Sequence, residues 1–365
     1  MERSWRKQLL VERAFWSNAQ LGAVTLTRYT SFLTLFLSFC TQHDLHTEEA
    51  EEVDDAMVRF FNEKFMEGTP PTMGEYVLAS WMHFRPKFSR LGQFHLPRAW
   101  RALRGWKILS PHRSRRPQAL PIWCAIAWRM VARGQRSMGV FVLTCLSSYC
   151  RPGELLKVRR CDWIAPVRRV LLTWSVILFP EEEGRSSKTG QYNDSILMDS
   201  SWLGFLNKDY EQMHDPRSTA CSWPFTYQQF VKEWKAVVAE LGLERLRLVP
   251  YQLRHSGPSN DMARSYRSLE EAKKRGRWSQ SKSMQRYERR GRLGQDYQTL
   301  TPLQQQTFEL AEKSLEAIFA GHHHAVKLPA AGWQNAASSS QTSSQAAKPS
   351  LPQRIVWAWQ RGVGK

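Results

Sequence analysis

Apolar residues recur at helical spacing through most of this chain, and a single region breaks the pattern. Thr25 and Tyr29 lead into Phe32, Leu35, Phe36 and Phe39. Val53, Met57, Phe60, Phe61 and Phe65 form a second face, which Thr47 is placed to cap ahead of Glu48–Glu52, and Tyr76, Leu78, Ala79, Trp81 and Met82 form a third. Helices are also predicted over 123–133, 138–148, 225–241 and 301–319, with the second of these apolar on most faces and therefore buried. The exception is Val170–Phe179, which alternates as a strand; Glu181–Gly184 supplies a turn and Ser195–Met198 the returning partner. The expected fold is mainly α with a small antiparallel β-sheet, an α+β chain long enough for two domains.

Charge narrows the partner. The chain carries 52 Lys and Arg against 33 Asp and Glu, a formal net charge of +19. Between Glu75 and Glu154 there is no acidic residue but 14 basic ones, among them Arg98, Arg101, Arg104, Arg113, Arg115 and Arg116, with Trp100, Trp106 and Trp123 interleaved. A track of one sign without a strongly apolar helix face favours a nucleic-acid backbone over a membrane surface. The apolar runs Tyr29–Cys40 and Ser137–Cys150 are short for a bilayer, and no membrane association is expected. The N-terminus lacks a signal-peptide layout. Six cysteines without a C-x-x-C pair read as reduced thiols of an intracellular protein. His322–His324, beside a low-complexity run, read as incidental, and no metal or cofactor is expected.

Breaks in composition divide the chain into a basic extension (1–22), a helical domain (23–96), a basic helix-plus-linker limited by Pro111 and Pro117 (97–120), a second domain (121–321) and an Ala/Ser/Gln-rich tail expected to lack order (322–365).

The stretch with most chemistry runs from Tyr251 to Tyr287. After Pro250 it places Tyr251, Arg254 and His255 together, then Trp278, and nine residues later Tyr287 flanked by Arg286, Arg289 and Arg290. A phenol is a poor nucleophile at neutral pH, so fixed cations around it make chemical sense beside an anion such as a phosphodiester. Upstream, Arg151-Pro-Gly-Glu154 follows the buried 138–148 helix, and Ser187-Lys188-Thr189-Gly190 lies between the two strands.

These residues resemble, in order and spacing, the tyrosine recombinases or phage-type integrases. The resemblance implies an N-terminal helical core-binding domain followed by an integrase-like catalytic domain. It also implies cleavage and rejoining of double-stranded DNA through a 3′-phosphotyrosyl intermediate, without metal or ATP. Arg151 and Arg254 match the two catalytic arginines, Glu154 the acidic residue after the first, Lys188 the general acid, Trp278 the His/Trp position and Tyr287 the nucleophile. Lys208 and Lys157 compete with Lys188 for its role. Two departures stand out: Tyr251 replaces the usual His, with His255 beside it as a substitute, and one residue separates Gly276 from Trp278. The resemblance further implies a mobile-element enzyme of the nucleus in a eukaryote, or of the cytoplasm and nucleoid otherwise. Arg286 and Arg289 join the basic track as DNA contacts. The apolar face of 303–319 either finishes its own core or docks on a neighbouring protomer in a tetrameric synapse. The alternatives are a degenerate integrase kept as a DNA-binding protein, a type IB topoisomerase or telomere resolvase, and a helical adaptor with a basic face.

Overall fold

The computed structural model describes residues 23–111, 115–184, 192–280, 291–329 and 333. Among the described residues the chain is mainly α with one three-stranded antiparallel sheet, and it divides into two compact units, with the boundary between Ser114 and Arg115.

Among the described residues the first unit has four principal helices: α1 (Ala23–Gln42), α2 (Ala50–Met66), α3 (Thr72–Phe84) and α4 (Pro97–Leu109). The helical repeat read from the sequence puts Phe36, Phe60, Phe61 and Trp81 in one core, where Phe36 meets Phe60 and Trp81 edge-on at ring separations of 5.7 and 5.8 Å. Each such ring contributes roughly 1.5–3 kcal/mol by burial. The start of α2 is closed by Glu52, whose carboxylate accepts the Glu49 N–H at 3.0 Å, rather than by Thr47. Residues 97–109, the start of the segment read from sequence as a basic helix and linker, are helical and belong to this core through Ala99, Leu103 and Trp106. The reason lies on α2: buried Asp54 accepts the backbone N–H groups of Arg98 (2.9 Å) and Ala99 (2.7 Å), satisfying the open end of α4. Helix α1 has 20 residues, longer than the apolar run within it, and is long and apolar enough to cross a membrane by length and composition. Its Phe36, Phe39 and Cys40 lie in the core of the unit.

In the second unit, α5 (Leu120–Ala132) and α6 (Arg136–Ser148) form a buried hairpin. Trp123 and Trp128 sink into it, so Trp123, like Trp106 in the first unit, is core rather than part of a basic surface. After the single turn α7 (Pro152–Leu155) come β1 (Trp163–Ile164), β2 (Ser175–Leu178) and β3 (Asp194–Leu197), in the order β1-β2-β3, with Val176 facing both Trp163 and Ile196. The strand expected from Val170 begins only at Ser175. Val167–Leu171 is a tight turn with Arg169 in the left-handed region, and Val170 and Leu172 are exposed with no face to pack against.

Helices α8 (Asn207–Met213), α9 (Tyr227–Glu240), α10 (Leu253–Ala263), α11 (Leu269–Arg275) and α12 (Gly291–Tyr297) follow, then α13 (Pro302–Lys313) and α14 (Leu315–Phe319). Phe308, Ala311, Leu315, Ile318 and Phe319 are buried in the core of their own unit, with α13 lying along α5. Most of this apolar face thus finishes its own core, the first of the two alternatives, while Leu303 and Leu310 stay exposed. The chain also stays packed beyond His322, where the tail was expected to start: Val326 is buried and the Trp333 indole N–H donates to the Glu240 carbonyl at 2.7 Å. The remainder of the tail, from 334, lies outside the described residues.

Candidate functional site

The site is built where α6 ends. Tyr149 adopts a left-handed conformation (φ 56°), which turns the chain sharply into Arg151 and α7. Arg151 is the residue before the helix and Glu154 its third position, so the Glu154 carboxylate reaches back to the Arg151 backbone N–H at 3.2 Å while the Arg151 guanidinium pairs with its other oxygen. The same carboxylate takes a second guanidinium, from Arg277 at 2.7 Å.

Arg254 arrives from the first turn of α10. That helix crosses α6 closely: a Cβ on Gly257 would lie 2.1 Å from the Leu146 carbonyl oxygen and 2.6 Å from the Tyr149 ring. The Arg254 side chain is 2% exposed, and it donates to the Tyr149 carbonyl at 2.5 Å and to the Gly276 carbonyl at 2.8 Å. Its guanidinium lies 4.8 Å from the centre of the Trp278 ring. Burial holds its pKa below the ordinary arginine value, and the nearby positive charges of Arg151 and Arg277 act in the same direction. Burial opposes the charge on Arg151 too, but Glu154 and the neighbouring Tyr251 hydroxyl favour it and the net shift is upward. Tyr251 is half-buried with its ring 5.1 Å from that of His255.

The structure thus brings Arg151, Glu154, Tyr251, Arg254, His255 and Trp278 to one place. Lys188, Arg286, Tyr287 and Arg289 lie outside the described residues. Lys157 and Lys208, the competitors of Lys188, are exposed on the chain after α7 and on α8. Of the basic track, Arg101, Arg104 and Arg115 are exposed, Arg98 is paired with Asp55, Arg116 with Asp296 at 2.7 Å, and Arg113 is outside the described residues.

Three participants were not named as site residues from the sequence. Arg277, in the left-handed region at φ 57°, joins Glu154 to Asp194 at the start of β3 (3.5 Å) and so ties the sheet to the α7 turn. Its signal was present in the extra residue between Gly276 and Trp278. That spacing lets the Trp278 ring fold back over Gly276, where an added Cβ would lie 1.7 Å from the ring. Tyr149 is the second: fully buried, its hydroxyl donates to Asp261 at 2.5 Å. Burial pushes the Tyr149 hydroxyl pKa upward, as does Asp261. Burial likewise raises the Asp261 carboxyl, against the pull of Tyr149, Arg267 and Arg275. Arg275 is the third. It donates to the Ser147 carbonyl at 2.6 Å and shares Asp199 with Arg267, at 2.8 and 2.6 Å, closing a buttress behind Tyr149. Nothing local in the sequence pairs these residues.

Chemically, the cluster joins the Arg151 and Arg277 guanidinium groups through Glu154, with Asp194 also beside Arg277, and sets the buried Arg254 guanidinium near both. Like charges this close are tolerated where an anion completes the balance, and planar forks match the oxygens of a phosphate or carboxylate.

No protein-family model matches the chain, and no curated protein matches it. Among solved structures that do, the crystal structure of XerA recombinase is similar over 78% of this chain and 94% of that chain, at 14% identity and a TM-score of 0.35. At that score the likeness to a recombinase is weak, and the chemistry of the site's own residues is the stronger guide to function.

Proposed function

We propose that this chain is a DNA strand transferase of the recombinase kind, cutting and rejoining double-stranded DNA through Tyr287. The observation that carries the reading is the convergence of Arg151 and Arg254, from separate parts of the chain, with Tyr251 beside the first and Trp278 beside the second. In this reading Arg151 and Arg254 hold the two non-bridging oxygens of the scissile phosphate, where negative charge builds in the transition state. The Tyr287 oxygen attacks phosphorus and the bond to the 5′-oxygen breaks. His255 receives the phenolic proton, Tyr251 donates its O–H to a phosphate oxygen, and Lys188 protonates the departing 5′-oxygen. Rejoining reverses these steps with a 5′-hydroxyl as the nucleophile, and because the phosphotyrosyl bond keeps the phosphodiester energy, no ATP is consumed. Exchange between two duplexes takes four cuts and hence four copies of the chain, acting wherever the host keeps its DNA.

The test is a trap. Purified protein is mixed with nicked or 5′-bridging-phosphorothiolate DNA pools and scored for a covalent adduct on a denaturing gel, beside Tyr287→Phe. An adduct that requires Tyr287 supports the reading, and its absence from every pool sinks it. Tyr251 in place of an imidazole favours a second reading, a DNA-binding protein without cleavage, since a phenol is a weak base at neutral pH. That reading expects a native-gel shift, no adduct, and no adduct from Tyr251→His either.

A further inference from the structure

The first unit contains a cavity of about 790 Å³ that the strand-transfer chemistry does not use. Its lining comes from α1 (Tyr29), α3 (Ala79, Met82, His83), the segment after α3 (Phe88 to Leu96) and the start of α4 (Pro97, Trp100). A volume of this size falls within the roughly 300–1,000 Å³ usual for small-ligand sites.

The lining is chemically uneven. Leu96 is buried and Met82 and Phe88 half-buried, so the depth of the cavity is apolar. The Tyr29 ring stands 5.7 Å from that of His83, and Trp100, also in the lining, is 49% exposed. Arg90 and His95 are exposed there and form no hydrogen bond or ion pair with any described residue. Among the described residues no carboxylate lines the cavity, because its described lining except Tyr29 comes from the stretch between Glu75 and Glu154 that lacks acidic residues. Trp100 is followed one helical turn later by Arg104, with Arg101 also exposed, so cationic side chains continue along α4 from the cavity mouth.

Aromatic walls, an apolar floor and cations at the rim suit a flat heteroaromatic group attached to an anion. Arginines continuing outward from the mouth suit an anion that is one of a chain. We propose that this cavity receives a single unpaired nucleobase of a DNA strand, stacked against Trp100, with the phosphate next to it held by Arg90. An acidic, aromatic peptide shares part of this chemistry, but the line Arg90, Arg101 and Arg104 favours a phosphodiester backbone. The inference concerns the first unit alone and stands apart from the reading of Tyr287.

The experiment uses the full chain and two fluorescein-labelled duplexes of one sequence, fully paired or carrying a single unpaired thymine, with anisotropy as the readout. Stacking of a base on an aromatic side chain leads us to expect the unpaired duplex to bind about 5- to 150-fold more tightly. Trp100→Ala is expected to erase that difference, Trp100→Phe to keep most of it, and Arg90→Gln to weaken the unpaired duplex more than the paired one. With 5-iodouracil at the unpaired position, light should crosslink the strand to Trp100, Tyr29 or Phe88. The proposal is overturned by equal binding of the two duplexes, by Trp100→Ala weakening both alike, or by a crosslink elsewhere. It is equally overturned if an acidic aromatic peptide, and not an oligonucleotide bearing an unpaired base, competes for the cavity. Should Trp100→Ala fail to fold, Trp100→Phe and the crosslink position decide. Because the adduct assay reads Tyr287, a chain that forms the adduct without preferring unpaired bases refutes only this inference.

Discussion

Replacing Glu154 by Gln removes the one carboxylate that holds Arg151 and Arg277 together. Its side chain is 9% exposed and accepts from the Arg151 backbone at 3.2 Å, from the Arg151 guanidinium and from Arg277 at 2.7 Å. Two of these bonds are between charged partners, and breaking a buried pair by removing one member costs about 3–5 kcal/mol. Glutamine keeps the shape and can still accept from the backbone N–H, so the expected loss at neutral pH is about 3 kcal/mol. For a urea slope of roughly 1–3 kcal/mol/M, that moves the unfolding midpoint down by about 1–3 M. Amide exchange should place the loss in the second unit, around 151–155 and 276–278.

The pH dependence supplies an independent check. Burial raises the Glu154 pKa, but Arg277 and Arg151 more than offset it, and the net shift is downward from the usual 4.5. A depressed folded-state pKa means that the contribution is fully present above the unfolded value and is lost as pH falls through the folded one. The gap between wild type and Glu154→Gln should therefore be widest above about pH 4.5 and shrink below it. A gap under about 1 kcal/mol at pH 7, or one that fails to narrow in acid, would refute a central role for Glu154.

Gly276→Ala sets a Cβ into the Trp278 ring and forces the indole off Arg254; a cost of about 1–3 kcal/mol is expected, with a changed near-UV circular dichroism spectrum in the tryptophan region. Tyr149→Phe removes the hydroxyl bond to Asp261 while leaving Arg267 beside that carboxylate, so a loss of about 1–2 kcal/mol in thermal or urea unfolding is expected, with the fold retained. Arg254→Lys cannot reach the Tyr149 and Gly276 carbonyls with one fork, and the rate of adduct formation on trapped DNA should fall by about 10²-fold or more. If α4 follows a DNA backbone, Arg101→Ala and Arg104→Ala should each lower the magnitude of the salt slope of DNA binding by about 1, leaving sequence preference unchanged.

By itself the sequence determined the secondary-structure class and most helix positions, and it named six residues, Arg151, Glu154, Tyr251, Arg254, His255 and Trp278, that the fold brings together. Helical period and strand alternation are local, and the physics that reads them acts over a few residues: Phe36 and Phe60 are buried in the face their spacing assigns, and Ser195–Leu197 pairs with β2 as its alternation requires. Where a reading needed knowledge of what covers a surface, it was open or wrong. The basic segment 97–109 became a core helix because Asp54, more than 40 residues earlier in the chain, closes its open end. Between the two roles left open for 303–319, Phe308, Ala311 and Leu315 pack in their own core while Leu303 and Leu310 stay exposed, and Val170–Leu172 had no partner to extend the strand. At the site, Arg151 and Arg254 were legible as types at a spacing, but only tertiary structure decided that Tyr149 would bend left-handed beneath Arg254. Only tertiary structure, too, made Arg277 and not a neighbouring cation share Glu154. These contacts join residues about a hundred or more positions apart. Their energies depend on burial and on which groups meet within a few ångströms, a condition that no local pattern encodes.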